Sequence, residues 1–458
     1  MELTTTRPGR TTLPAQQAEP IRRLLGPDRG LLRELAAAIG GPFHVIFPEP
    51  FDAAVASFQA VLASAGVPGQ IYYAKKANKA ALWPRRCAET GIGVDVASLG
   101  ELRSTLAEGV RGERIVVTGP AKSTELLRLA TLHGCLITVD APDELARLIT
   151  LAGRYGMVRL LLRVAPPQGS SRFGLIPDEL RAALTCCVAE ASSIRLEGFS
   201  FHLSGYTPES RAAMTATLLD WVCEARALDL AVTSVDIGGG FAVNYVDGAD
   251  WQHFAPALSA ENFHHQREFP DYYPYHSPVA GAAMLQAVLD TVPAQRSQSL
   301  AGLLKAAEVT LLCEPGRALL DQAGLTVLRV EGVKERDYGM VTVDGTSLSL
   351  SEQWFNSEFL PDPVLLDSGT AALPRVTGSD AAFPACVVGA SCLESDVLSW
   401  RKIPFPRRPE IGDLLIYLNT AGYQMDSNES EFHQLPLPPK VVVDWEDGVV
   451  NWRWDDHG

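Results

Sequence analysis

Positive charge, cysteine and long apolar runs are all in short supply in this chain. Thirty-nine lysines and arginines face 54 aspartates and glutamates, a formal net charge of -15. That balance argues against a nucleic-acid partner, which needs a basic face, and against polybasic attachment to a membrane. No run approaches the roughly 18 uninterrupted apolar residues of a membrane-spanning helix. The polar, Thr-, Pro- and Gln-rich stretch Met1–Pro20 lacks the apolar core of a signal peptide and reads as a disordered tail. The eight cysteines are scattered, with only Cys186 and Cys187 adjacent. This spacing suits reduced thiols in the cytoplasm rather than a disulfide framework, and no metal site is expected.

What is present is a regular alternation. Short apolar or β-branched runs occur at Ile71–Lys75, Gly93–Val96, Ile115–Thr118, Leu136–Val139, Arg159–Val164, Leu196–Phe201, Thr233–Ile237 and Thr310–Cys313. Amphipathic stretches such as Leu99–Glu108, Ser123–His133, Pro142–Tyr155, Pro177–Ala191 and Pro208–Leu228 lie between them. Strand followed by helix, repeated, implies an α/β fold with a parallel sheet buried on both faces. Eight such strands predict a (β/α)8 TIM-like barrel over residues 49–319, with an open doubly wound sheet as the alternative. After residue 320 the runs Leu325–Gly332, Met340–Val343, Ala385–Gly389, Asp413–Tyr417 and Val441–Trp445 are separated by turn residues instead of helices. They predict a C-terminal mainly-β domain over 320–458, against which residues 21–48 pack. Residues 250–277, rich in aromatics and histidine, read as an insertion over the barrel mouth that could line a pocket.

Chemistry in such a barrel gathers at the C-terminal ends of the strands. Here those ends carry Lys76, Asp95, Arg163, His202, the triplet Gly238, Gly239 and Gly240, then Glu314, Gly316 and Arg317. Each has an ordinary structural explanation when taken singly. Together they put a phosphate cradle of glycine N–H groups and an arginine beside a lysine able to attack an aldehyde. That is the donor set pyridoxal 5′-phosphate (PLP) requires.

The segment Tyr73-Ala74-Lys75-Lys76-Ala77-Asn78 resembles the lysine motif of fold-type III PLP-dependent decarboxylases, the group of ornithine and diaminopimelate decarboxylases whose barrel is shared by alanine racemases. The resemblance continues through Gly93–Leu102, Ser171-Arg172-Phe173-Gly174, Phe201-His202, Asp236–Phe241 and Glu314-Pro315-Gly316-Arg317. In the β domain it takes in Asp344-Gly345, Cys392 with Asp396, Gly412-Asp413, Ala421-Gly422-Tyr423 and Ser430-Glu431-Phe432. It implies a Schiff base at Lys76, His202 stacked on the pyridine ring and Glu314 at its nitrogen. Gly238–Gly240, Gly316, Arg317 and Tyr423 would hold the phosphate. It further implies a homodimer with shared active sites, in which Cys392 enters the partner's site to protonate the α-carbon and Asp396 pairs with the neighbour's Arg172.

A carboxylate at the ring nitrogen keeps the electron sink strong, which favours decarboxylation of an amino acid over simple racemisation. A racemase or epimerase on the same scaffold is the alternative, and a non-catalytic PLP- or partner-binding relative a third reading. Three departures from the family pattern stand out. His202-Leu203-Ser204-Gly205 lacks the usual Gly-Ser order, so the phosphate hydroxyl is displaced to Ser204 or lost. Leu393 follows Cys392 where basic-substrate enzymes carry an acid, with Glu394 one step on. The segment Thr346–Glu352 lacks the arginine that clamps a distal carboxylate in diaminopimelate decarboxylases. The expected substrate is therefore a less common amino acid or a conjugate, as in specialised biosynthetic pathways.

Overall fold

The computed structural model describes residues 12–167, 171–350, 356–367, 382–427 and 429–456. The chain divides into two compact units, one comprising residues 1–50, 243–278 and 321–455, the other Phe51–Ala242, Val279–Leu320 and the residues from Asp456 onward.

Strand β1 (Phe43–Ile46) belongs to the first unit. The next eight strands are β2 (Gly69–Ala74), β3 (Gly93–Val96), β4 (Ile115–Val117), β5 (Leu136–Val139), β6 (Val158–Arg163), β7 (Ile194–Ser200), β8 (Ser234–Asp236) and β9 (Thr310–Cys313). They form a closed parallel barrel in sequence order. Closure is made by β2 against β9, Ile71 standing opposite Cys313. Both faces of these strands are covered, so β4 and β5 are buried throughout and read as continuous apolar runs. Inside the barrel Tyr72, Val116, Leu136, Leu161 and Leu312 pack together. The intervening helices start on local signals. Ser98 and Ser123 cap theirs by accepting the N–H groups of Glu101 and Leu126. Pro142, Pro177 and Pro208 open three others, where a missing N–H costs nothing.

The remaining strands are β10 (Gly324–Glu335), β11 (Gly339–Val343), β12 (Val364–Leu366), β13 (Phe383–Val388), β14 (Val397–Phe405), β15 (Leu414–Leu418), β16 (Lys440–Glu446) and β17 (Val449–Trp454). They build one sheet with β1 in the order β14-β13-β11-β10-β1-β16-β17, while β15 pairs with β10 and β12. Its core joins Phe43, Val45, Val327, Ile416 and Val441 with Leu31, Leu32 and Leu35 of the helix Gly30–Ile39.

Two boundaries differ from the sequence reading. Residues 1–11 lie outside the described residues, but the rest of the expected tail is ordered: Leu13 is fully buried, its N–H donates to Asp362 Oδ2 at 2.7 Å, and a helix begins at Glu19. Residues 243–278, assigned to the barrel from sequence, cluster with the β unit instead. The cause is aromatic packing. Tyr245 stands edge-on to Tyr273, Tyr275 and Phe359, and Tyr275 Oη donates to the Glu358 carbonyl at 2.6 Å. Burial of Tyr245, Tyr275 and Phe359 makes these rings part of the core of the β unit.

Candidate active site

The C-terminal mouth of the barrel collects most of the expected residues. Strand β2 runs into a short 3-10 turn, Lys75–Ala77, in which Lys75 is buried and the Lys76 side chain keeps 43% of its surface accessible. Lys76 Nζ lies 3.3 Å from Asp95 Oδ2. Asp95, in β3, is itself buried, and its other oxygen accepts the Thr118 hydroxyl at 2.5 Å. Beyond β5 and β6, Arg163 pairs with Asp140 at 3.3 Å and stacks 4.5 Å from the Phe173 ring centroid. Asp140 also accepts the N–H of Gly174, which ties down the turn carrying Arg172. Arg172 is exposed and stacks on the same Phe173 ring.

His202 follows β7, and its Nδ1 accepts the Gly239 N–H at 3.4 Å. The imidazole keeps an open side but is crowded by protein elsewhere. That burial, followed by the cations Lys76, Arg163 and Arg211, pushes its pKa down to about 3, so the ring is neutral at physiological pH. Ser204 is exposed. The triple glycine that follows β8 admits no side chain. A Cβ on Gly239 would lie 2.6 Å from the Glu314 carbonyl oxygen, and one on Gly240 (φ +80°) would meet Arg211 Nη2 at 2.1 Å. The turn is locked from within, because Gly238 N–H donates to Asp236 Oδ1 at 2.8 Å and Glu314 N–H donates to the Gly238 carbonyl at 2.9 Å. Gly316 and Arg317 follow Glu314, with the Pro315 carbonyl accepting the Ala74 N–H at 3.2 Å.

Three carboxyl groups, Asp95, Asp236 and Glu314, are thus buried at the ends of three strands of this barrel. Glu314 is raised well above the ordinary carboxylate range, by burial first and then by the charges of Asp236 and Asp95. Asp236 is raised as well, again mainly by burial. One of its oxygens, Oδ2, is buried without a hydrogen-bond partner. Such a cluster calls for cations.

The other expected residues lie in the β unit. Cys392 and Glu394 are exposed, and Leu393 is 52% exposed. The Cys392 N–H donates to His433 Nε2 at 3.4 Å. Tyr423 adopts a left-handed conformation, φ +79°. Asp396 is the residue expected to pair with Arg172 of a second copy. It is buried, and its two oxygens accept the N–H groups of Ser347 and Ser391 at 2.6 and 3.0 Å. Its carboxylate holds the loop that carries Cys392. Of the segment without the clamping arginine, Thr346, Ser347 and Ser349 are buried, while Ser351 and Glu352 lie outside the described residues.

Thr118, Asp236 and Arg211 were not singled out from sequence. Asp236 stood inside a recognised motif. Arg211 carried a faint signal, a basic residue near a helix N-terminus where the dipole favours acids.

A closed barrel with a lysine, a buried carboxyl and a glycine turn at one mouth defines the barrel class of PLP enzymes. Residues 51–321 match the family model described as pyridoxal-dependent decarboxylase, pyridoxal binding domain. An uncharacterized protein of Sinorhizobium fredii is 39% identical over 419 residues, 90% of each chain. A diaminopimelate decarboxylase of Actinosynnema pretiosum is 30% identical over 439 residues, 91% of this chain and 86% of the other. Among solved structures, diaminopimelate decarboxylase from M. jannaschii in complex with L-lysine superposes with a TM-score of 0.70 at 19% identity, covering 92% of this chain and 91% of that one. The lysine/ornithine decarboxylase of Vibrio vulnificus complexed with putrescine gives 0.68 at 20% identity, covering 93% and 99%. The last two share the fold. The chain belongs to the pyridoxal-dependent decarboxylase family. It is a PLP-dependent enzyme that decarboxylates an amino acid.

Proposed function

We propose that Lys76 carries the cofactor aldehyde, that Glu314 receives the ring nitrogen, and that the substrate is an amino acid without a charged group at the far end of its side chain. The observation that carries the first part is the Lys76–Asp95 contact at 3.3 Å, made at a mouth where Glu314 is also buried. The residues present fit PLP. Three buried carboxyl groups suit a cationic ring and a cationic nitrogen at the reacting carbon, and the Gly238–Gly240 turn, free of side chains, would let the backbone approach a phosphate.

Bound PLP supplies an electron sink for the carbanion left when carbon dioxide departs. The chain's residues do the rest. Asp95, held by Thr118, orients the Lys76 amine. Glu314, as a carboxylate facing the ring nitrogen, would hold a proton there. His202, neutral and anchored by the Gly239 N–H, would hold the ring without adding charge there. Gly238–Gly240, Gly316 and Arg317 would hold the phosphate. The Cys392 thiol of a second copy of the chain would supply the proton for the α-carbon, and the Lys76 amine would be the group that takes the cofactor back. That step makes the working form a homodimer. Its eight cysteines, free among the described residues, suit the cytoplasm.

Leu393, beside Cys392, offers no charge to a distal ammonium. A buried ammonium left unpaired costs several kcal/mol, so ornithine and lysine are poor substrates. Diaminopimelate is disfavoured by Thr346–Leu350, which supplies hydroxyl and apolar groups but no arginine. Carbon dioxide release across a panel of L- and D-amino acids tests the reading. Preferential turnover of diaminopimelate, lysine or ornithine contradicts the substrate assignment, whereas solvent deuterium at Cα with the carboxylate retained favours the racemase alternative.

A further inference from the structure

Arg211 is a buried charge that pairs with no carboxylate among the described residues, the Tyr206 phenol being the group that favours its charged form. The helix Pro208–Arg226 delivers it near its N-terminus, and it is 1% exposed. Nη2 donates to the carbonyls of Leu203 at 3.2 Å, Gly205 at 2.9 Å and Gly239 at 3.2 Å, and Nε reaches the Gly239 carbonyl at 3.4 Å. Nη1 is buried with no hydrogen-bond partner. Burial pulls the guanidinium pKa down to about 10, still far enough above neutrality to leave it protonated. Carbonyl dipoles solvate such a cation without neutralising it, and the helix N-terminus adds positive potential of its own. A neutral amide would be the simpler clamp for these carbonyls.

The backbone Arg211 grips explains the charge. Arg211 holds residues 203–205, where the phosphate hydroxyl is displaced to Ser204 or lost, and the turn at Gly239–Gly240, which is assigned above to the phosphate. The first of them departs from the family pattern, and its Ser204 is exposed. We propose that Arg211 is a positioning residue for the cofactor's phosphate: it shapes the glycine turn, and its charge supplies the field that selects a phosphate dianion over an uncharged hydroxymethyl group. The proposal rests on the glycine turn being the phosphate site.

The test uses the full-length protein stripped of cofactor and titrated with PLP and with pyridoxal, which lacks the phosphate. Wild type, Arg211→Gln and Arg211→Lys are compared. Wild type should prefer PLP by about 100-fold or more, and Arg211→Gln should lose about tenfold or more of that preference while its pyridoxal affinity stays close to wild type. Arg211→Lys, which keeps the charge but not the fork, should recover most of the preference. Phosphorus NMR of the bound cofactor supplies a readout that a neutral clamp would not move. The resonance should stay at its dianion position down to about pH 6 in wild type and titrate nearer neutrality in Arg211→Gln.

Parallel loss of affinity for both ligands in Arg211→Gln, or an undiminished preference for PLP, overturns the proposal. If that variant does not fold, Arg211→Lys decides: a retained preference supports the charge, and its loss with the fold intact overturns it. A wild-type protein that does not discriminate PLP from pyridoxal instead removes the phosphate-site reading on which the proposal stands.

Discussion

Lys76 Nζ and Asp95 Oδ2 stand 3.3 Å apart, and the second oxygen of Asp95 is held by Thr118. A lysine from the end of one barrel strand is thereby aimed by a carboxylate that the next strands bury and orient. Asp95→Asn removes the charge and leaves the shape. Steady-state kinetics should show kcat falling about 10- to 100-fold, with thermal stability little changed. Thr118→Val should produce a smaller loss, and in the double variant the two should not add, because they act on one contact. Independent, additive losses would separate Thr118 from the lysine.

The glycine turn makes a steric prediction. Gly240→Ala puts a Cβ 2.1 Å from Arg211 Nη2, at a φ of +80° that alanine rarely adopts. PLP affinity, measured by titrating the apoprotein, should weaken by at least about tenfold. An unchanged affinity would mean that the turn does not hold the cofactor.

The buried acid pair makes a pH prediction. Asp236 and Glu314 both have carboxyl groups raised above the ordinary range, chiefly by burial. At mildly acidic pH the folded apoprotein therefore keeps protons that the unfolded chain has released. Its stability falls as pH rises from the ordinary carboxylate range through the raised one, and levels off above. The Asp236→Asn/Glu314→Gln double variant should lose that slope. Urea unfolding at about pH 5 and about pH 7.5 should show wild type losing on the order of 1–3 kcal/mol more than the variant. Equal slopes would mean that the pair titrates normally.

Asp396 separates two roles for one carboxylate. Its oxygens accept the Ser347 and Ser391 N–H groups, so Asp396→Ala leaves two donors unpaired. Denaturant unfolding should register a loss of about 1–3 kcal/mol, and kcat should fall as the Cys392 loop loosens. The dimer dissociation constant, measured by sedimentation, should change little. A large rise in that constant with the protomer's stability unchanged would restore the intersubunit pair with Arg172.

All eight barrel strands were legible because parallel strands buried on both faces leave uninterrupted apolar runs such as Leu136–Val139. The strands missed were β1, a buried run of only four residues, and three without that pattern. β12 is three residues long, β14 carries Arg401 and Lys402 in its middle, and β17 is largely exposed. The loop at 243–278 was misassigned because its aromatics find their partners at residues such as Phe359, far along the chain. The site divides in the same way. Lys76, His202 and Glu314 end strands, where position alone predicts function. Thr118 and Arg211 matter through contacts with Asp95 and Gly239, 23 and 28 residues away, which no local pattern records. The two backbone donors that Asp396 accepts, Ser347 and Ser391, likewise cannot be inferred from sequence spacing.

The attachment of the cofactor to Lys76 is tested most directly by borohydride reduction of the PLP-loaded protein, followed by proteolysis and mass spectrometry. The phosphopyridoxyl mass should appear on the peptide containing Lys76, at that side chain, and be absent from Lys76→Ala. A label on Lys75 or elsewhere, or no label on a protein that has bound PLP, would contradict the account.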